Sequence, residues 1–291
     1  MGTFLGHLVL GLALAFLGIW HTVNTIGAYY IKGPTKFMLR FWYPLKTPLC
    51  KLEHTELILV LSFSVFAILM QIIDFPYMQF SFKLDNFEHA TMFLHVVIFA
   101  GYILFSEFKS STDTPVGVSG ILAASVFGQE LFLLHFHSTD HVGLEGHYHW
   151  LLQLIVCISL AAAIFATCFP TSFPVALILT VSVVFQGCWL INMGFVLWVR
   201  KFIPRGCAVQ LSNASNGIML GAVLCETVEA DLRARAMANL QFSWILAAIL
   251  MIVSCISLVF DRQHMPPRMS PEYEKLNSTR LHDVGFMQIQ L

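Results

Sequence analysis

Long apolar runs separated by short polar joints set the pattern of this chain. At about 20 apolar residues per bilayer crossing, the runs fall at residues 4–30, 57–73, 87–105, 116–136, 150–169, 173–199 and 242–260. Each is expected to be helical, because lipid offers no partner to an open backbone group. Turn residues punctuate the runs: Gly33-Pro34, Asp74-Phe-Pro76, Thr114-Pro115, Pro170 with Pro174, and Pro204. Trp42, Trp150, Trp198 and Trp244 stand near run ends, as an interfacial aromatic belt requires. The expected fold is all-α, a polytopic bundle of seven transmembrane helices over residues 1–260 with a flexible cytoplasmic tail at 261–291. The stretch 213–225 is too short to cross. It is expected to be a surface or re-entrant piece within the connection 200–241, with an eighth span as the alternative.

Composition agrees with lipid as the main solvent. The chain is 57% hydrophobic and 11% charged, with mean hydropathy +0.74, against about 25% charged residues in soluble domains. This excludes an ordinary cytosolic enzyme, and the net charge of −1 leaves no nucleic-acid footprint. The seven cysteines contain no C-x-x-C pair. The first run lacks a basic flank and a small-residue cleavage site, so it is read as a retained helix and not a signal peptide.

Seven crossings sort Lys and Arg ten to six between the two faces. The richer face is placed in the cytoplasm. The N-terminus is then lumenal or extracellular and the C-terminus cytoplasmic, in the endomembrane system or plasma membrane. The expected partners are membrane lipids and a cytoplasmic partner of the tail. On the outer side Asn213-Ala-Ser215 is a glycosylation candidate, and Cys207 and Cys225 flank it as either a disulfide or two buried thiols.

The same count brings His7, His89, His135, His137, His141, His147 and His149 to one face. Imidazoles at that density suit a metal, a proton or a pH response. At about 100° per residue, Glu130 and His137 share a helix face seven residues apart, and Glu88 and His95 repeat the relation on the third run. A carboxylate inside a span is costly and should face the interior with a partner. The proposed metal donors are His89, His135, His137, His141, His147, His149 and Glu130, with His7, Glu88, His95 and Gln153 as supporting or proton-relay groups. Gln153 follows His149 by four residues and is expected to orient it. Zinc or another transition metal would fit imidazole plus carboxylate. No His-Glu-x-x-His is present. His21, Asn24, Gln186, Trp189 and Asn192 are expected to bond between helices, and His54, Glu53 and Glu56 to lie at a solvated span end.

Several segments resemble the transmembrane protein 45 family, also called domain of unknown function 716. They are Gly6-His7, Asp85 through Met92, His135-Phe-His137 with His147-Tyr-His149, Gln186 through Trp189, Met193 through Val196, Asn239 through Trp244, and Glu274 through Asn277. Leu232-Arg-Ala-Arg-Ala236 looks like the plant-type branch. The resemblance implies a multi-pass endomembrane or plasma-membrane protein and supplies no reaction. Three readings follow. One is a non-enzymatic membrane protein whose histidine rim binds a transition metal or senses pH. The second is a membrane-embedded zinc-dependent lipid hydrolase, which the histidine-free run 242–260 disfavours. The third is a scaffold or trafficking protein working through its tail.

Overall fold

The structure is a computed structural model, and it describes residues 3–45, 53–74, 79–80, 83–109, 116–136, 143–211 and 220–264. Seven helices in it are long and apolar enough to cross a membrane. They are α1 (Phe4–Lys32), α2 (Thr55–Ile72), α3 (Leu84–Lys109), α4 (Val116–His135), α5 (Gly143–Cys168), α6 (Phe173–Trp198) and α7 (Val228–His264). Two small antiparallel ribbons join them: β1 (Ile73–Asp74) with β2 (Gln79–Phe80), and β3 (Cys207–Leu211) with β4 (Leu220–Cys225). The chain is an integral membrane protein, with seven spans among the described residues.

Local chemistry sets the ends of α1. The Thr3 hydroxyl accepts from the Gly6 amide at 3.2 Å, which satisfies one of the open N–H groups of the first turn. At the other end Gly33 adopts φ 81° and its N–H donates to Tyr29 O at 3.0 Å, a conformation that favours glycine. Lys32 in the last turn suits the negative end of the helix dipole.

α6 is the central helix and packs most closely on α1. A Cβ built on Gly18 would lie 2.5 Å from Val184 N, and one on Gly11 2.9 Å from Gly187 O. Only bare backbones come this near, and in lipid such close approach is a main source of helix association. Polar groups join α6 to its other neighbours. Ser159 Oγ of α5 donates to Ser182 Oγ at 2.8 Å and accepts from Gln186 Nε2 at 2.7 Å. Trp189 Nε1 donates to Tyr148 O at 3.1 Å, and Asn192 Nδ2 to Gln241 Oε1 of α7 at 3.1 Å. Gln186, Trp189 and Asn192 thus bond between helices, as expected. Asn24 does not: its Nδ2 donates to Trp20 O of its own helix at 2.7 Å.

A second core lies at the opposite end. Phe37 and Leu39, from the segment after α1, pack with Ala162, Ala163, Ala166 and Leu179. Leu39 N donates to Pro170 O at 2.8 Å, which ties this segment to the α5–α6 turn.

Three boundaries correct the sequence reading. α5 begins at Gly143, so His147, expected in the loop before the fifth span, is helical. α7 begins at Val228, so Leu232 through Ala236 belong to a helix and not to a long connection. Residues 220–225 form a strand paired with β3 and not an eighth helical span. In each case hydropathy marks what lies in lipid, and a helix or hairpin continues past that limit. His137, His141, Asn213 and the tail beyond His264 lie outside the described residues.

Candidate functional site at the histidine rim

The starts of α1, α3, α5 and α7 and the ends of α2, α4 and α6 share one end of the bundle, since the spans alternate in direction. The β3–β4 ribbon sits at the same end, and Cys207 and Cys225 face each other across it in a disulfide.

Three rim histidines use one local device. His7 Nδ1 lies 3.1 Å from Thr3 O, His89 Nδ1 2.7 Å from Asp85 O, and His149 Nδ1 3.0 Å from Glu145 O. A carbonyl only accepts, so Nδ1 carries the proton in each ring and the lone pair of the neutral ring falls on Nε2. All three spacings are four residues, so the turn of helix itself orients the imidazole. His7 and His149 are both buried and meet edge to face, with ring centroids 6.2 Å apart. Trp198, the last residue of α6, covers His7 at 4.6 Å. Close approach to α6 permits this placement: a Cβ on Gly194 would lie 3.3 Å from His7 Cβ.

The remaining members turn to other neighbours. His147 Nε2 donates to Asn239 Oδ1 of α7 at 2.9 Å, and its ring stacks on Trp150 at 6.1 Å. A cavity of about 480 Å³ opens beside it, lined by Gly143, Gly146, His147, Trp150 and Arg235. His135 is exposed, and its Nδ1 lies 3.3 Å from Gln153 Oε1. Gln153 therefore faces His135, and its Nε2 donates to Leu134 O at 2.9 Å. The sequence reading had it orient His149, but a side chain at that turn also reaches α4. His95 Nδ1 lies 3.4 Å from Ser125 Oγ, joining α3 to α4. Glu88 is half-buried near the start of α3. Glu130 is half-buried on α4 in line with Ala123, and no polar partner meets it among the described residues. Among those residues no three His, Cys, Asp or Glu side chains converge as a metal would need.

At the other end stands a polar cluster that the sequence reading missed. Glu56, in the first turn of α2, is buried. Its Oε2 accepts from Trp20 Nε1 and from the Tyr43 amide, both at 2.9 Å, and its Oε1 lies 2.7 Å from His21 Nε2. Tyr43 is buried, its hydroxyl 3.1 Å from Thr25 Oγ1, and burial holds its phenol above the usual tyrosine range. His54 is likewise no solvated helix start: it packs between Trp42 and Phe108, each ring 5.2 Å away. The signal that pointed here was His21, a polar residue in an apolar helix that needs a partner.

Residues 116–258, from the first turn of α4 to the last turns of α7, match the family model described as Family of unknown function (DUF716). The matched region holds the α4–α5 histidine segment, the central helix α6 and the Asn239–Trp244 segment, in which Asn239 bonds His147 and Gln241 bonds Asn192. Over this region the chain is similar to that family.

Proposed function

We propose that this seven-span protein is a membrane sensor whose histidine rim faces the lumen or cell exterior and responds to acidification. The supporting observation is the contact between His7 and His149. Two imidazoles from different helices lie buried against one another beneath Trp198. Both are held in the same neutral tautomer by backbone carbonyls, so a second proton on each enters at Nε2. Two positive rings at that separation repel in a place with little solvent. Acid then separates the outer ends of α1 and α5, the kind of charge change by which histidine clusters flip interfaces. The Cys207–Cys225 disulfide supports the outward assignment, because disulfides persist on oxidising faces.

The test is tryptophan emission of the purified protein in lipid nanodiscs between pH 8 and 5. A transition that Trp198→Phe removes, and that His7→Gln and His149→Gln abolish, supports the reading. Emission unchanged by these substitutions ends it.

One observation favours a second reading, a transition-metal site. A ligating histidine usually donates its other ring N–H to a carbonyl or carboxylate, and His7, His89 and His149 all do so. Elemental analysis of the purified protein separates the readings. Stoichiometric zinc or copper, lost in His89→Ala and His149→Ala, supports metal binding.

A further inference from the structure

Beside the rim histidines, α6 and α7 flank a cavity of about 390 Å³, with Cys188, Ile191, Asn192, Phe195, Phe202 and Gln241 among its lining. Its walls are apolar and its polar atoms gather at one point. Gln241 Oε1 accepts from both Tyr148 OH at 2.6 Å and Asn192 Nδ2 at 3.1 Å. The single oxygen serves two donors. The Gln241 amide N–H groups and Asn192 Oδ1 meet no partner among the described residues. One donor and one acceptor therefore stand side by side in an otherwise oily groove.

Depth matters to what fits. Asn192 lies six residues before the end of α6, roughly 9 Å along its axis at 1.5 Å per residue. Gln241 directly precedes the long apolar part of α7. Both lie toward the rim ends of the apolar runs of their helices. Phe202 is half exposed, and its ring meets Phe195 edge-on at 5.7 Å to form the outer wall.

A hydroxyl both donates and accepts, and so answers this pair of groups with one atom. No Lys or Arg lines the cavity, so nothing there would hold a phosphate. The volume is near the lower end of the roughly 300–1,000 Å³ of small-ligand sites, too small for a two-tailed lipid with its headgroup. A rigid lipid loses little freedom on binding. We infer that this groove takes the hydroxyl end and first rings of a sterol-class lipid entering sideways from the bilayer.

The experiment uses the full-length protein in nanodiscs and a cholesterol analogue with a diazirine on its tail. Crosslinks are mapped by mass spectrometry. Labelling of residues 188–202 and of the peptide containing Gln241, competed by cholesterol but not by its 3-methyl ether, supports the inference. Asn192→Leu should weaken competition about tenfold, the loss expected for one hydrogen bond left unmade in an apolar site. Cys188→Phe fills the groove without touching the polar pair and should abolish labelling while the thermal unfolding profile is kept. Labelling that maps elsewhere overturns the inference, as does equal competition by the methyl ether or labelling that survives Cys188→Phe. Stronger competition by a diacylglycerol than by cholesterol also overturns it, in favour of a flexible lipid alcohol.

Discussion

Nε2 of His21 lies 2.7 Å from Oε1 of Glu56 across the α1–α2 interface, with side chains only 16% and 8% exposed. Glu56 also holds the Trp20 indole and the Tyr43 backbone, so one carboxylate ties α1, α2 and the segment between them. Removing one member of a buried pair leaves the other uncompensated, at about 3–5 kcal/mol. Glu56→Ala should therefore destabilise the protein on that order, while Glu53→Ala, at an exposed position, should change little. Thermal unfolding in detergent reads both, and equal losses would remove the special role of Glu56.

Close packing of α1 on α6 gives a second expectation. A methyl on Gly18 meets the Val184 backbone, which cannot rotate away. Gly18→Ala should be destabilising by about 1–3 kcal/mol. A methyl on Gly101 meets nothing within 4 Å, so Gly101→Ala should be neutral or better by up to about 1 kcal/mol through helix propensity alone. The same unfolding assay ranks the two, and a reversed order would contradict the glycine contact.

The Cys207–Cys225 bridge closes an 18-residue separation. Its removal should destabilise the ribbon by about 2–4 kcal/mol. Membrane-impermeant maleimide applied to intact cells or sealed vesicles, after mild reduction, should reach both thiols from the side that also labels a Thr3→Cys variant, Thr3 being exposed one turn before His7. Labelling of that cysteine and these thiols from opposite compartments would show that the rim is not shared.

The proposed response to acid rests on the contact between His7 and His149, whose ring centroids lie 6.2 Å apart. At an effective dielectric of about 20, two protonated rings at that separation would repel by an energy on the order of 3 kcal/mol. His149→Gln should flatten the stability profile between pH 8 and 5, and an unchanged slope would dissociate the pair from any pH response.

Polar contacts inside the bundle should count individually for little. Gln186→Leu removes its bond to Ser159, and single interhelical hydrogen bonds in membranes average about 0.6 kcal/mol. A loss well above about 2 kcal/mol in unfolding would mean that Gln186 acts in more than packing.

Much of the architecture was legible because lipid imposes one demand on every span. About 20 apolar residues closed by their own backbone bonds can be counted directly, and α1, α4 and α6 start within a residue of the apolar runs that announce them. The helical extension that carries His147, and the one that carries Arg233 and Arg235, were not legible, because outside lipid a helix needs no apolar stripe. The β3–β4 ribbon was hidden for a related reason: its pairing is between strands and not along one.

By itself the sequence determined the number of spans, their membrane setting and the set of residues able to carry chemistry, since these depend on composition and on spacing along the chain. Tertiary structure decided which of those residues meet. It joined His7 to His149 and sent His135 and His147 to Gln153 and Asn239. It also turned Glu56 from a span-end acid into a buried hub. The physical reason is that helices pack by backbone approach at glycines such as Gly11, Gly18 and Gly187. The rotation this sets for each helix, and not the spacing of its polar residues, selects their partners.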